Sequence, residues 1–205
     1  MDGTRIVGIY LAAGKSSRMG RNKLNLPIGE TFVGSIGFRA AMESQLDVTI
    51  AVTRKGDSLH WLAPFSKKGG WKRVEADGKQ SDSLKAGLTA ASELEANAVM
   101  VLLADQPFVT SVMINQLIAE FCSCSYIPYF SFLDQGLLKP PILIAKELFP
   151  AMMCLTGDQG ARALLRGEWK GQGKFLEAND GRPFMDIDTK EDYQMFMNSL
   201  MKEGK

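Results

Sequence analysis

The chain alternates between short, unbroken apolar runs and longer stretches in which apolar residues recur every three or four positions. The runs at 6–11, 48–52 and 98–103 have strand length and read as buried strands. The last is the most continuously apolar and reads as a central strand, with a shorter one expected at 71–74. Between them lie segments of helical period. A helix over 31–45 would carry Phe32, Ile36, Ala40 and Met42 on one side. A short helix is expected over 59–65, and another runs from Ser81 to about Leu94. Thr110 caps a third long helix, whose apolar face is Met113, Ile114, Leu117, Ile118 and Phe121. Strand and helix in alternation argue for an α/β fold: a mostly parallel, Rossmann-like sheet with helices on both faces.

The second half is less regular. Residues 126–133 read as a strand and Asp134-Gln135-Gly136 as a hairpin turn. The run after the turn carries Pro140 and Pro141, which cannot hold central ladder positions themselves. Residues 147–154 read as helical, broken at Pro150, and a further helix starts within 157–162 and ends near Arg166. A strand over 184–188 leads into Thr189-Lys190-Glu191-Asp192. That is a capping-box-like start for a last helix with Tyr193, Phe196, Met197, Leu200 and Met201 on one face. No repeat or linker divides the chain, so 1–205 reads as one domain.

Bulk properties remove function classes. With 205 residues, 45% hydrophobic and 23% charged, the chain has the balance of a water-soluble globular protein. A net charge of +1 gives no field to gather nucleic acid or an anionic membrane. No run reaches the ~18 apolar residues of a bilayer span, and the start has no signal-peptide pattern. Cys122, Cys124 and Cys154 are odd in number and read as reduced thiols of a cytoplasmic protein, with a Cys122-Ser123-Cys124 metal or redox site as the less favoured reading. His60, the only histidine, excludes mechanisms built on a histidine pair.

The chemistry concentrates directly after the first strand, in Leu11-Ala12-Ala13-Gly14-Lys15-Ser16-Ser17-Arg18-Met19-Gly20-Arg21-Asn22-Lys23. Small residues let the main chain approach a polyphosphate closely, and amide donors with cations neutralise it. Five residues separate Gly14 from Gly20 and Arg21 follows, which is not Walker A spacing, and Gly-x-Gly-x-x-Gly is absent here. The stretch resembles the nucleotidyltransferase signature L-A-(A/G)-G-x-S-x-R-M-G-x-x-K. Within that superfamily the chain is most similar to the molybdenum cofactor cytidylyltransferases, including homologues linked to xanthine dehydrogenase in bacterial purine breakdown. The resemblance spans nearly the whole chain and implies a fold of the nucleotide-diphospho-sugar transferase type.

Several further segments carry it. Gln80 to Leu88 match a Q-S-x-S-L-x-x-G-L segment that lies near base and ribose in the family. The resemblance therefore implies nucleotide contacts from Leu11, Ala12, Ala13, Gly14, Ser16, Arg18, Lys23, Gln80, Ser81 and Ser83. Ser81 is equally a plain helix cap on the residues alone. Asp105, in Leu103-Ala104-Asp105-Gln106-Pro107, and Asp188, in Asp186-Ile187-Asp188-Thr189, match metal-binding carboxylates, so Mg²⁺ is the expected cofactor. Each could alone be a turn or cap residue, and Asp186 stands behind them. Arg18, Lys23 and Asp105 are the expected catalytic residues: two cations on the triphosphate and one metal carboxylate. Lys15, Arg21 and Lys139 read as a solvated rim. Gly157 to Arg162 match G-D-x-G-A-R, which assigns Asp158, Gly160 and Arg162 to the acceptor. The chain departs from the pattern at Lys139-Pro140-Pro141 and at Lys79, where a glycine is expected and Gly78 stands one place early.

Guanylyl-transferring relatives resemble L-A-G-G at the loop start. Here the methyl of Ala13 narrows the space beside the base and favours CTP. By resemblance the acceptor is the molybdopterin cofactor and the client a xanthine dehydrogenase-type enzyme. Transfer to a sugar or alditol phosphate, and a cofactor-binding chaperone with little turnover, are the competing readings.

Overall fold

The computed structural model describes residues 3–16, 19–124, 126–178 and 181–203, with no side-chain description beyond Leu200. In chain order the elements are β1 (Ile6–Ala12), a hairpin of β2 (Pro27–Ile28) and β3 (Thr31–Phe32), α1 (Val33–Met42), β4 (Val48–Thr53) and β5 (Trp71–Glu75). Then come α2 (Gln80–Glu93), β6 (Ala98–Leu103), α3 (Ser111–Ser123), β7 (Tyr129–Asp134) and β8 (Leu137–Ala145). The chain ends with α4 (Phe149–Met153), α5 (Ala161–Arg166), β9 (Lys174–Glu177) and α6 (Lys190–Glu203).

Among the described residues seven strands form one sheet in the order β5-β4-β1-β6-β8-β7-β9. Only β8 runs antiparallel to its neighbours, so the sheet is mostly parallel. The chain winds outward from β1 through β4 to β5, then crosses back to lay β6 on the other flank of β1. Crossovers of one hand that run in opposite directions put their helices on opposite faces. The core follows this rule for α1 and α2, while α3 crosses from β6 to β7 in the direction of α2 and yet packs on the α1 face. Tyr10, Ala51, Met100 and Leu102 pack in one layer with Phe38 of α1 and Leu117 of α3. Their strand neighbours Ile9, Val52, Val99 and Val101 pack in the other with Leu84 and Leu88 of α2 and Met152 of α4. A third cluster joins Met19, Leu26, Ile28 and Val33 to Ile187 and Phe196, and fastens α6 beside the end of the sheet.

Pro140 and Pro141 sit centrally in the sheet, yet neither has a ladder partner. The pairing of β7 with β8 jumps from Ser131–Ile142 to Phe132–Lys139, and the prolines occupy the gap. Gln135 and Gly136 take left-handed φ of 49° and 74° and close the hairpin as expected.

Other expectations need correction. The helix expected over 31–45 starts at Val33, because Thr31 and Phe32 pair with Ile28 and Pro27. Pro150 falls in the first turn of α4, where its missing N–H costs nothing, so it opens the helix rather than breaking it. Residues 184–188 form no strand: Arg182–Phe184 make a 3-10 turn and the next four run irregularly. Lys174–Glu177 were not expected as a strand but pair with β7 as β9.

Gly87 lets α2 press directly on the sheet. A methyl there would lie 2.5 Å from Ile9 Cγ2 and 3.2 Å from Val52 Cγ2. Alanine gains about 1 kcal/mol of helix propensity over glycine, while overpacking costs about 1–3 kcal/mol. Gly87→Ala is therefore expected to lower the urea midpoint at unchanged slope, and a raised midpoint would contradict this packing.

Candidate active site

The site lies where the winding direction reverses, at the carboxyl ends of β1 and β6, the position at which open α/β sheets bind ligands. The loop leaving β1 carries Ser16 at a left-handed φ of 48°, strained for a side chain larger than glycine. Two bonds hold that turn. Met19 N–H donates to the Ser16 carbonyl at 3.0 Å, and Lys23 N–H donates to Ser16 Oγ at 3.2 Å. Asn22 then caps a 3-10 turn over Lys23–Asn25, accepting from Leu24 N–H at 3.0 Å. Leu24 and Leu26 are buried, so the backbone on which Lys23 rides is fixed from both sides.

Lys23 points inward and its ammonium meets two carboxylates: Nζ lies 2.7 Å from Asp105 Oδ2 and 2.7 Å from Asp188 Oδ1. Burial by itself would lower the Lys23 pKa. The opposing charges and hydrogen bonds of Asp105 and Asp188 outweigh it and hold the group above its ordinary value, so it remains a cation.

Asp105 and Asp188 are 83 residues apart in sequence, and a short set of bonds brings them together. Ala104 N–H donates to the Leu11 carbonyl at 3.1 Å, which carries the β1–β6 pairing up to Asp105. Ile187 N–H donates to the Asp105 carbonyl at 2.9 Å, and the buried Gln106 donates from Nε2 to Asp186 Oδ1 at 2.8 Å. Asp186 as a residue is exposed, yet its carboxyl turns back toward the cluster. Withdrawal from water and the charges of Asp105 and Asp188 push its pKa up, against the Gln106 hydrogen bond and the Lys23 charge. Asp192 completes the frame by accepting from Asp188 N–H at 3.0 Å and Thr189 N–H at 2.8 Å, while Thr189 Oγ1 accepts from Asp192 N–H at 3.1 Å. This is the capping box expected from sequence.

Adjoining clefts open around this cluster. One of about 310 Å³ is lined by Leu11, Ala12, Gly14, Ser16, Lys23, Asp105 and Asp188. Another, of about 510 Å³, brings Ala13, Gln80, Ser83, Asp158 and Arg162 to the same wall of Leu11 and Asp105. A third, of about 250 Å³, continues past Gln80 and Gly160 toward Arg162 and Pro140. Ser81 is the exception among the expected contacts. It is buried, lines none of these clefts, and its hydroxyl has no hydrogen-bond partner among the described residues. Nor is it a cap: α2 begins at Gln80, capped by Lys79, whose N–H donates to Asp82 Oδ2 at 2.8 Å. The displaced glycine is functional there, since Gly78 takes a left-handed φ of +122° to turn into the helix. Ser17 and Arg18 lie outside the described residues, so Arg18 stays an expectation.

Other residues change standing. Lys15, read as rim, is exposed but lines the clefts on both sides of the loop. Arg21 lines the outer one with Arg54 and Asp57, which sequence reading passed over. Arg54 directly follows β4, so the strand-end rule that singled out Asp105 could have found it. Lys139 instead pairs with Asp134 at 3.5 Å.

Among the described residues no cluster of three or more His, Cys, Asp or Glu side chains could hold a metal ion. Two converging carboxylates beside a phosphate-type loop nevertheless fit a hard cation such as Mg²⁺ or Mn²⁺. Such a cation takes one or two protein carboxylates and completes its shell with phosphate oxygens and water. A zinc or redox centre is not supported by this oxygen-only donor set. Cys122, Cys124 and Cys154 are free thiols away from the site.

A glycine-containing loop after β1, a buried lysine and two aspartates, one just past the end of β6 and one at the head of α6, converge on one cleft. Comparison with known proteins identifies its kind. The model of the MobA-like NTP transferase domain matches residues 8–174. The chain belongs to this family. It is a nucleotidyltransferase. It is 37% identical to the purine catabolism protein PucB of Bacillus subtilis (strain 168), over 95% of this chain and 97% of that one. Its fold is that of Rv0371c from Mycobacterium tuberculosis H37Rv (TM-score 0.78, 25% identity, 95% of this chain and 99% of that one). Rv0371c in complex with manganese aligns at 0.74, with 21% identity over 96% and 100%. A nucleotidyl transferase from Methanothermobacter, Mth528, aligns at 0.78, with 21% identity over 98% and 100%. Among the described residues no helix is long and apolar enough to cross a membrane.

The cap at Asp192 generates a pH prediction. Burial would raise its pKa, but hydrogen bonds from Thr189 and from the Asp188 and Thr189 amides hold it below 3.8. A depressed carboxyl pKa adds stability above the unfolded value, and that stability is lost as pH falls through the folded value. Asp192→Ala is expected to cost about 1 kcal/mol at pH 7, with the difference from the parent shrinking below about pH 4. Urea unfolding from pH 2.5 to 7 checks this, and a pH-independent difference would contradict it.

Proposed function

We propose that this protein transfers the cytidylyl group of CTP to a phosphate oxygen of the molybdopterin cofactor, releasing pyrophosphate and forming the cytosine dinucleotide of the cofactor. The reaction forms a bond from the acceptor oxygen to the α-phosphorus and breaks the bond to the β-phosphate, so the pair of electrons leaves with pyrophosphate. The observation that supports transfer at this place is the convergence of Asp105 and Asp188 on Lys23 beneath the loop.

The chain's own residues have the following parts. Loop amides from Ala12 to Ser16 receive phosphate oxygens, and Arg18 neutralises the departing pyrophosphate. Lys23 stabilises charge that grows at the α-phosphate. Gln80 and Ser83 lie toward base and ribose, and Asp158 and Arg162 toward the acceptor phosphate. Asp105 and Asp188 would hold Mg²⁺, which supplies charge neutralisation across the phosphate oxygens. The choice of CTP rests on the methyl of Ala13 beside the nucleotide cleft. The acceptor and a xanthine dehydrogenase-type client rest on the family resemblance and on the purine-catabolism name of the relative. Three free thiols suit action in the cytoplasm.

Pyrophosphate release from CTP, GTP, ATP and UTP, with Mg²⁺ and molybdenum-loaded molybdopterin, tests this reading. Release is expected with CTP, falling by about 10²–10³ in Lys23→Met and abolished in Asp105→Ala. Faster release with GTP, or release that requires a sugar phosphate, would overturn the substrate assignment.

A further inference from the structure

The loop assigned to the acceptor is built against the start of α2. Ser81 N–H donates to the Gly157 carbonyl at 3.1 Å, and Gly157 turns with a left-handed φ of +64°. Residues 156–159 then close on themselves. Thr156 N–H donates to Gln159 Oε1 at 3.0 Å, and Gln159 N–H donates to the Thr156 carbonyl at 3.2 Å. The next residue, Gly160, lies against the Gln80 side chain: a methyl on its Cα would be 2.9 Å from Gln80 Nε2 and 3.0 Å from Cδ. Gln80 borders both the cleft toward Ala13 and Asp105 and the cleft toward Arg162. Gln80 is exposed, and its carboxamide occupies the space that a side chain at position 160 would fill.

We propose that Gly160 is a positioning residue for the nucleotide: its missing side chain leaves the space in which the Gln80 carboxamide lies, directed into the nucleotide cleft. This inference rests on the nucleotidyl-transfer reading and reassigns Gly160 from acceptor contact to a role exerted through Gln80. Glycine is not needed here for the backbone, since φ of −105° and ψ of −178° are ordinary extended values open to alanine. Alanine would therefore displace only the flexible end of Gln80.

Four proteins test it: the parent, Gly160→Ala, Gln80→Ala and the double variant, with CTP binding measured by calorimetry. Each single substitution is expected to weaken CTP binding about fivefold, one neutral hydrogen bond's worth. The double variant should bind no more weakly than Gln80→Ala, because both act through one group. Urea midpoints should stay level. The Gln80 side-chain amide signal in a ¹⁵N spectrum, assigned by its loss in Gln80→Ala, should shift in Gly160→Ala. A Gly160→Ala effect that persists in full without Gln80, an unmoved Gln80 signal, or unchanged CTP affinity in Gly160→Ala would each overturn the proposal. Failure of the functional reading shows differently. If the parent prefers another triphosphate, the same cycle is run with that nucleotide, and if it binds none, both inferences fall.

Discussion

One buried cation holds the candidate site together. Lys23 places its ammonium between Asp105 and Asp188, where two carboxylates come together at the mouth of a cleft. Like charges at such separation cannot both remain ionised cheaply, and a lone charge removed from water is costlier still. The pair therefore requires positive charge beside it, and Lys23 supplies it to both carboxylates. The rest of the local structure serves that requirement. The Asn22 cap and buried Leu24 aim Lys23, the β1–β6 pairing carries Asp105, and Gln106, Ile187 and Asp192 fix the segment that ends at Asp188.

The fold accounts for why these groups can meet. Reversal of winding between β1 and β6 leaves a crevice that no helix fills, and both strands end at it. The glycine-rich loop leaves one strand there and Asp105 the other. Asp188 reaches the crevice by a different route: it sits at the head of α6, whose Phe196 packs with Ile187, Leu26 and Val33. Anchoring the last helix beside the loop that follows β1 brings distant parts of the chain together at one cluster.

Much of this was legible in the residues, for physical reasons that differ by element. β1, β4 and β6 are buried on both faces, so their apolar runs are unbroken and unambiguous. The capping box at Thr189 to Asp192 is local chemistry that needs no tertiary information. The 184–188 segment misled because Phe184 and Ile187 are buried by a turn and by the third cluster rather than by a sheet, and periodicity cannot separate those cases. β9 was missed because only alternate residues of Lys174–Glu177 are shielded and each pairs with a β7 residue 44 positions earlier. Within the site, Lys23, Asp105 and Asp188 were named from motifs, but their mutual 2.7 Å contacts were not readable. Nor were the burial of Ser81 and the contact of Gly160 with Gln80, which depend on how α2 meets the 156–160 loop.

The proposed transfer requires Asp105 and Asp188 to exchange the Lys23 ammonium for a divalent cation when nucleotide binds. The most direct measurement is a crystal structure with Mn²⁺ and a non-hydrolysable CTP analogue, read by anomalous scattering. The account predicts manganese on Asp105 and Asp188, with Lys23 Nζ moved onto the α-phosphate. Lys23 still bridging the two aspartates, with manganese bound elsewhere, would contradict it.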